Sequence, residues 1–133
     1  MTVRFLGPDQ LVRLLALILW CGVIFAFSEM PGSGLGVQPP LWYVLERKSA
    51  HVFEYAVLAF LSYRFFISVY PSEKFIRIAS IVMAFGLAYG TLDEFHQSFV
   101  FGRGARLTDV MIDGLGTLLA LVCVFVLRSR GKR

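Results

Sequence analysis

Charge is what this chain has least of. Only 17% of its 133 residues are Asp, Glu, Lys or Arg, against about a quarter in soluble domains. Hydrophobic residues make up 57%, and the mean hydropathy is +0.70. That balance excludes an ordinary soluble domain. Cysteine is scarce as well: Cys21 and Cys123 each sit inside an apolar run. Two such residues allow neither a disulfide framework nor a zinc-finger spacing. They read as small apolar thiols among packed helices. Internal repeats and low-complexity tracts are lacking, and the length leaves room for one membrane domain and no second. No nucleic-acid partner is expected; the lipid bilayer is the first partner such a chain needs.

What is there is a set of apolar runs, each close to the roughly 20 residues that carry a helix across a bilayer. Helices are expected at about residues 11–28, 49–69, 76–97 and 108–127. The fold class that follows is all-α, a polytopic membrane protein with four transmembrane helices in a compact bundle, as one domain over residues 1–133. The first run, Leu11 to Phe27, is introduced by Arg4 and Arg13. Signal peptides share a basic start and an apolar core, but this run is long for a signal core and reads as a retained helix. Ser28 to Leu41 is rich in Gly and Pro and breaks the helix. Trp42 and Tyr43 then suit the membrane interface. Pro71 ends the second run. Gly86 and Gly90 form a GxxxG pair that lets another helix approach closely, more commonly inside a bundle than between copies. Phe99 and Phe101, in the loop from Ser98 to Leu107, suit the interface, and Thr108 is a candidate N-cap for the fourth helix. The basic tail from Arg128 to Arg133 suits anionic headgroups.

The few ionisable residues are concentrated. From Tyr89 to Asp113 the chain leaves one apolar run through Asp93, Glu94, His96 and Gln97, crosses a loop with Arg103 and Arg106, and re-enters at Asp109 and Asp113. His51, Glu54, Tyr55 and Leu58 follow one another at spacings that keep them on one face of the second helix. Glu54 lies more than a turn inside that run, where an unpaired carboxylate is costly. Asp109 and Asp113 are four apart on one face of the fourth helix. The helix dipole accounts for Asp109 but not for the deeper Asp113.

Four spans put both termini on one side. That side holds Arg4, Arg13, Arg64, Lys74, Arg77, Arg128, Arg130, Lys132 and Arg133, nine of the 13 basic residues. Cytoplasmic segments carry the excess of Lys and Arg, so both termini are expected in the cytoplasm, across the inner or cytoplasmic membrane. Seven of the nine carboxylates and both histidines then fall in the outer half. The second helix enters there, the third exits there and the fourth enters there, so all three polar ends are expected to meet at the outer face.

Three chemistries fit such a cluster. Histidine with carboxylates suits a divalent metal such as Zn, Mn or Fe, although no single stretch carries a sharp ligand spacing. A histidine beside carboxylates in a partly dry site also suits proton transfer, with Arg103 or Lys48 on the phosphate of a lipid-linked substrate. Alternatively the charges only pair with one another and tie helix ends together, which requires no turnover. The proton-transfer set is His51, Glu54, Asp93, Glu94, His96, Asp109 and Asp113. Lys48, Tyr55, Gln97 and Arg103 are the substrate-binding candidates. Glu29, Glu46 and Arg106 read as solvated surface residues. Transport by four short helices requires a homo-oligomer.

The chain resembles the VanZ-like membrane protein family. The resemblance rests on Lys48-Ser-Ala-His51-Val-Phe-Glu54-Tyr55, on Asp93-Glu94-Phe-His96-Gln97, on Gly102-Arg103, and on Asp109 followed by Asp113-Gly114-Leu-Gly116. Ser28-Glu-Met-Pro31 adds a Ser-x-x-Pro feature after the first helix. The family is named for an accessory protein of glycopeptide resistance, and the resemblance implies a compact helical membrane protein. An outward-facing site would suit a role in teicoplanin tolerance, through a cell-envelope lipid or lipid-linked precursor. Many members have no demonstrated link to antibiotics. The family usually carries Asn or Asp at position 113; Asp113 adds a negative charge that favours a cation or basic partner.

Overall fold

The computed structural model describes residues 6–32 and 40–131. Arg4, residues 33–39 of the Gly- and Pro-rich loop, and Lys132 and Arg133 of the basic tail lie outside the described residues. Within them the chain is all-helical: α1 (Pro8–Ser28), α2 (Leu41–Val69), α3 (Phe75–Gln97) and α4 (Leu107–Arg130). Each helix is long and apolar enough to cross a membrane. Large hydrophobic side chains on α1 and α4, such as Leu15, Leu19, Leu119 and Val122, point outward from the bundle. In water this would be a liability, whereas lipid solvates such side chains as well as a core does. The protein is a multi-pass membrane protein with four transmembrane helices.

All four helices start earlier than the sequence expectation, α1 at Pro8 and α3 at Phe75. The other two starts bear on the site. α2 begins at Leu41, directly after Pro40, rather than at Ser49. Hydropathy marks where a chain becomes apolar, but Glu, Arg and Lys are good helix formers and extend the helix past that point. At 29 residues, α2 is about 43 Å long, against a hydrocarbon core of roughly 30 Å. Glu46, Arg47 and Lys48 therefore stand on a rigid helix and not on a loop. α4 begins at Leu107 with Arg106 as N-cap and no side-chain cap. Thr108 is already inside the helix, and its hydroxyl donates weakly to Asp109 Oδ1 at 3.4 Å.

α2 is the centre of the bundle. It packs against α1, α3 and α4, whereas α1 and α4 do not touch. Small residues bring the helices together. A Cβ built on Gly116 of α4 would lie 2.4 Å from the Val52 carbonyl oxygen of α2. The Gly86 and Gly90 face of α3 lies against Thr117 and Asp113 of α4, so the GxxxG pair serves packing within the bundle. Ala59, Tyr63, Ile78, Val82, Leu121 and Val124 form one buried cluster. Leu17, Ile24, Tyr55 and Leu58 form another, sealing α1 to α2.

The two ends of the bundle are chemically different. At one end Gln10 donates to the Ser68 carbonyl at 2.7 Å, Arg13 to the Arg64 carbonyl at 3.0 Å, and Arg128 to the Tyr63 hydroxyl. The other end collects the C-termini of α1 and α3, the N-terminal part of α2 and the start of α4. The segment after α1 meets the α3–α4 loop there, where the Gly32 N–H donates to the Phe101 carbonyl at 3.0 Å. Gly102 follows with φ 75°, a left-handed conformation that a side chain would strain. It turns the loop so that Arg103 points back over the bundle.

Candidate functional site

The site starts from helix register. Residues 47, 51 and 54 share one face of α2, which puts Arg47, His51 and Glu54 in a column. The last turn of α3 adds Asp93 and Gln97, also four apart, and Gln97 donates to Asp93 Oδ2 at 2.8 Å. α1 contributes Trp20, Ile24, Phe27 and Ser28, and Arg103 comes from the α3–α4 loop. Together with Tyr43, Glu46, Ala50, Phe53, Met30 and Pro31 they enclose a cavity of about 470 Å³. Trp20, Ile24, Phe27 and Phe53 give its lining an apolar, aromatic part, and Arg47, Arg103 and Glu46 a charged one. Trp20 is anchored by donation from its indole N–H to the Glu54 carbonyl at 2.9 Å. The rim residues Phe27, Met30 and Phe53 are exposed.

The electrostatics of the mouth are unusual. Burial, and next the positive charge of Arg47, push the Arg103 guanidinium below its ordinary pKa. Arg103 donates to the Phe27 carbonyl at 3.0 Å, but its Nε is buried with no partner. The carboxylates of Asp93 and Glu54 act on Arg103 in the opposite sense to Arg47. Deeper in, no hydrogen bond to the Glu54 carboxylate occurs among the described residues.

A second layer of polar groups lies behind the cavity wall. Asp113 is fully buried, and its Oδ1 meets His51 Nδ1 at 2.9 Å. Glu94, 3% exposed, accepts the Arg106 N–H on Oε2 at 2.8 Å. This carboxylate from α3 does what Thr108 was expected to do: it satisfies a backbone donor at the start of α4. At the edge Lys48 Nζ meets Asp109 Oδ1 at 2.7 Å, with partly exposed side chains. Tyr55 is fully buried, with its ring 6.5 Å from that of Tyr89.

These positions sort the sequence candidates. His51, Glu54, Asp93, Gln97 and Arg103 line the cavity. Glu94, Asp113 and Tyr55 stand behind it, and Lys48 and Asp109 pair beside it. His96 is turned away: its Nε2 meets Glu29 Oε1 at 2.7 Å, and its ring lies 4.7 Å from that of Phe25. The i, i+1 and i+3 directions around a helix end explain this, because Asp93 and Gln97 face inward and His96 points between them and the outside. Sequence reasoning left Arg47 out of the site. Its spacing of four from His51 and seven from Glu54 was the available signal.

A family comparison covers the same part of the chain. A model described as VanZ/LLP1 matches residues 13–128 of the 133. The chain belongs to the VanZ/LLP1 family. The match runs from early α1 to late α4 and so takes in every cavity residue named above. Comparison with curated proteins and with solved structures gave no match.

The Lys48–Asp109 pair tests how far charges at this end merely hold helices together. Asp109→Asn is expected to lower stability by at most about 1 kcal/mol, since a partly exposed ion pair is worth little. Unfolding in detergent measures this; a loss of several kcal/mol would mean that the pair is a principal tie between α2 and α4.

Proposed function

We propose that the cavity binds the anionic headgroup of a cell-envelope lipid or lipid-linked phosphate, on the outer side of the cell membrane with both termini in the cytoplasm. The observation that carries this reading is that Arg47 and Arg103 line the same cavity as Trp20, Ile24 and Phe53. Guanidiniums suit phosphate oxygens, which they grip with paired N–H groups. Trp20, Ile24 and Phe53 offer an apolar surface to the attached chain. Most ligand sites combine an apolar lining with a few convergent polar groups in this way. The free carboxylate of Glu54 and the imidazole of His51 face the same space, which suits proton transfer to a bound phosphate ester. The basic excess at the opposite end supports the orientation.

Lipids retained through purification, identified by native mass spectrometry, test the reading. The native protein is expected to hold a phosphate-bearing lipid, and Arg103→Ala to lose at least about tenfold in occupancy, the worth of one hydrogen bond to a charged group. Equal retention by both proteins would overturn it. Lipid-linked precursors in cells expressing native protein or Glu54→Gln separate binding from chemistry: a species that changes with the native protein alone marks turnover. Tolerance to teicoplanin is the corresponding phenotype to score.

A non-catalytic scaffold is the rival reading. It is favoured by three contacts that join elements without involving the cavity mouth: Lys48 to Asp109, the Arg106 amide to Glu94, and His96 to Glu29. Equal lipid retention and equal precursor profiles in both experiments would favour it.

A further inference from the structure

His51, Asp93 and Glu94 come from two helices, and one potential ligand atom from each falls within 4.8 Å of the others. All three residues are buried: 8%, 6% and 3% exposed. We propose that they bind a single divalent first-row transition cation, an inference that does not rest on the lipid reading.

Each of the three is already held at one atom by a neighbour. His51 Nδ1 faces Asp113 Oδ1 at 2.9 Å. An ionised Asp113 can only accept, so the proton sits on Nδ1 and Nε2 presents its lone pair. Gln97 grips Asp93 by Oδ2, and the Arg106 amide grips Glu94 by Oε2. This leaves Glu94 Oε1 buried with no partner. Histidine ligands are oriented in this way by a carboxylate on the second ring nitrogen, and ligating carboxylates by further hydrogen bonds.

Charge gives a second, separate reason. Lys48 neutralises Asp109 at the edge. At and behind the cavity wall, the hydrogen bonds of Asp93, Glu94 and Asp113 then include one potential cation, His51 on Asp113. Buried carboxylates in such excess stay ionised only when paired or when they coordinate a metal. Asp113 Oδ2, also buried without a partner, marks the same deficit of positive charge. One imidazole nitrogen with two carboxylates selects Zn²⁺, Mn²⁺ or Fe²⁺ over the all-oxygen ions Mg²⁺ and Ca²⁺.

The test is uptake of Zn²⁺ and Mn²⁺ by the full chain in detergent after chelation and desalting. Metal content is read by mass spectrometry, and Mn²⁺ also by electron paramagnetic resonance. One ion per chain is expected, with a higher thermal midpoint when loaded and no comparable effect of Mg²⁺. His51→Gln and Glu94→Gln should each weaken binding about a hundredfold or more, and Asp113→Asn about tenfold to a hundredfold. Glu94→Gln also removes a buried negative charge that has no cationic partner among its hydrogen bonds, so its metal-free form should melt above the native metal-free form. That readout distinguishes loss of the site from loss of the fold. Arg103→Ala and His96→Ala should bind metal as the native chain does, which separates this site from the lipid reading and from a surface histidine. Absence of stoichiometric uptake, uptake that survives Glu94→Gln, or equal response to Mg²⁺ would overturn the proposal.

Discussion

Gly116→Ala is expected to destabilise the bundle by about 3 kcal/mol or more, at or beyond the upper end of ordinary overpacking. The added methyl would sit 2.4 Å from the Val52 carbonyl oxygen and 3.1 Å from its carbonyl carbon and Cα. These are backbone atoms of α2, so no rotamer change relieves the contact, and the two helices must separate. Separation also pulls on the pairs that cross this interface, Lys48 with Asp109 and His51 with Asp113. Two other glycines give the controls. At Gly22 a Cβ meets nothing within 4 Å, so Gly22→Ala should leave stability level or raise it by up to about 1 kcal/mol through helix propensity. At Gly114 the nearest atom is the end of the Leu87 side chain, at 3.0 Å, which can turn aside at modest cost. Unfolding of the three variants in one detergent gives the order directly. A Gly116→Ala variant as stable as Gly22→Ala would mean that α2 and α4 do not meet backbone to backbone.

The second large effect is expected at His51. His51→Leu leaves Asp113, which has no exposed surface, as a buried carboxylate without its partner. Breaking a buried pair on one side costs about 3–5 kcal/mol. Removing the charge as well should return most of that loss, because the penalty belongs to the orphaned ion rather than to the missing contact. The double variant His51→Leu with Asp113→Asn is therefore expected to be clearly more stable than His51→Leu alone. Both are measured in chelator, so that any bound metal contributes to neither. Additive losses, with the double variant the least stable, would show that Asp113 does not depend on His51 for its charge.

These two predictions draw on different parts of what was legible beforehand. The density of groups between Tyr89 and Asp113, and the count of spans, sufficed to gather the polar ends of α2, α3 and α4 into one region. That inference needs only helix geometry and the cost of charge in lipid, both of which are local properties of the chain. The resemblance carried by Lys48–Tyr55, Asp93–Gln97 and Asp109–Gly116 led to the VanZ/LLP1 family for the same reason, since it depends on residue order alone. The start of α2 was misplaced because hydropathy and helicity begin at different residues when charged helix formers, here Glu46, Arg47 and Lys48, precede an apolar run.

Which polar residue meets which was beyond the sequence. His96 stands among Asp93, Glu94 and Gln97 in the chain, yet it pairs outward with Glu29, while Arg47 enters the cavity from the turn before His51. The side a residue takes at a helix end depends on how that helix is rotated against its neighbours. Here the rotation is set by backbone approaches at Gly86, Gly90 and Gly116. Sequence alone determined an all-helical membrane protein with its ionisable groups drawn to one end, because apolar length and the expense of buried charge are additive along a chain. Only the tertiary structure divided those groups into a cavity with two arginines and a buried His–Asp–Glu cluster in and behind its wall. That division comes from interhelical packing, and no stretch of the sequence holds both sides of such a contact.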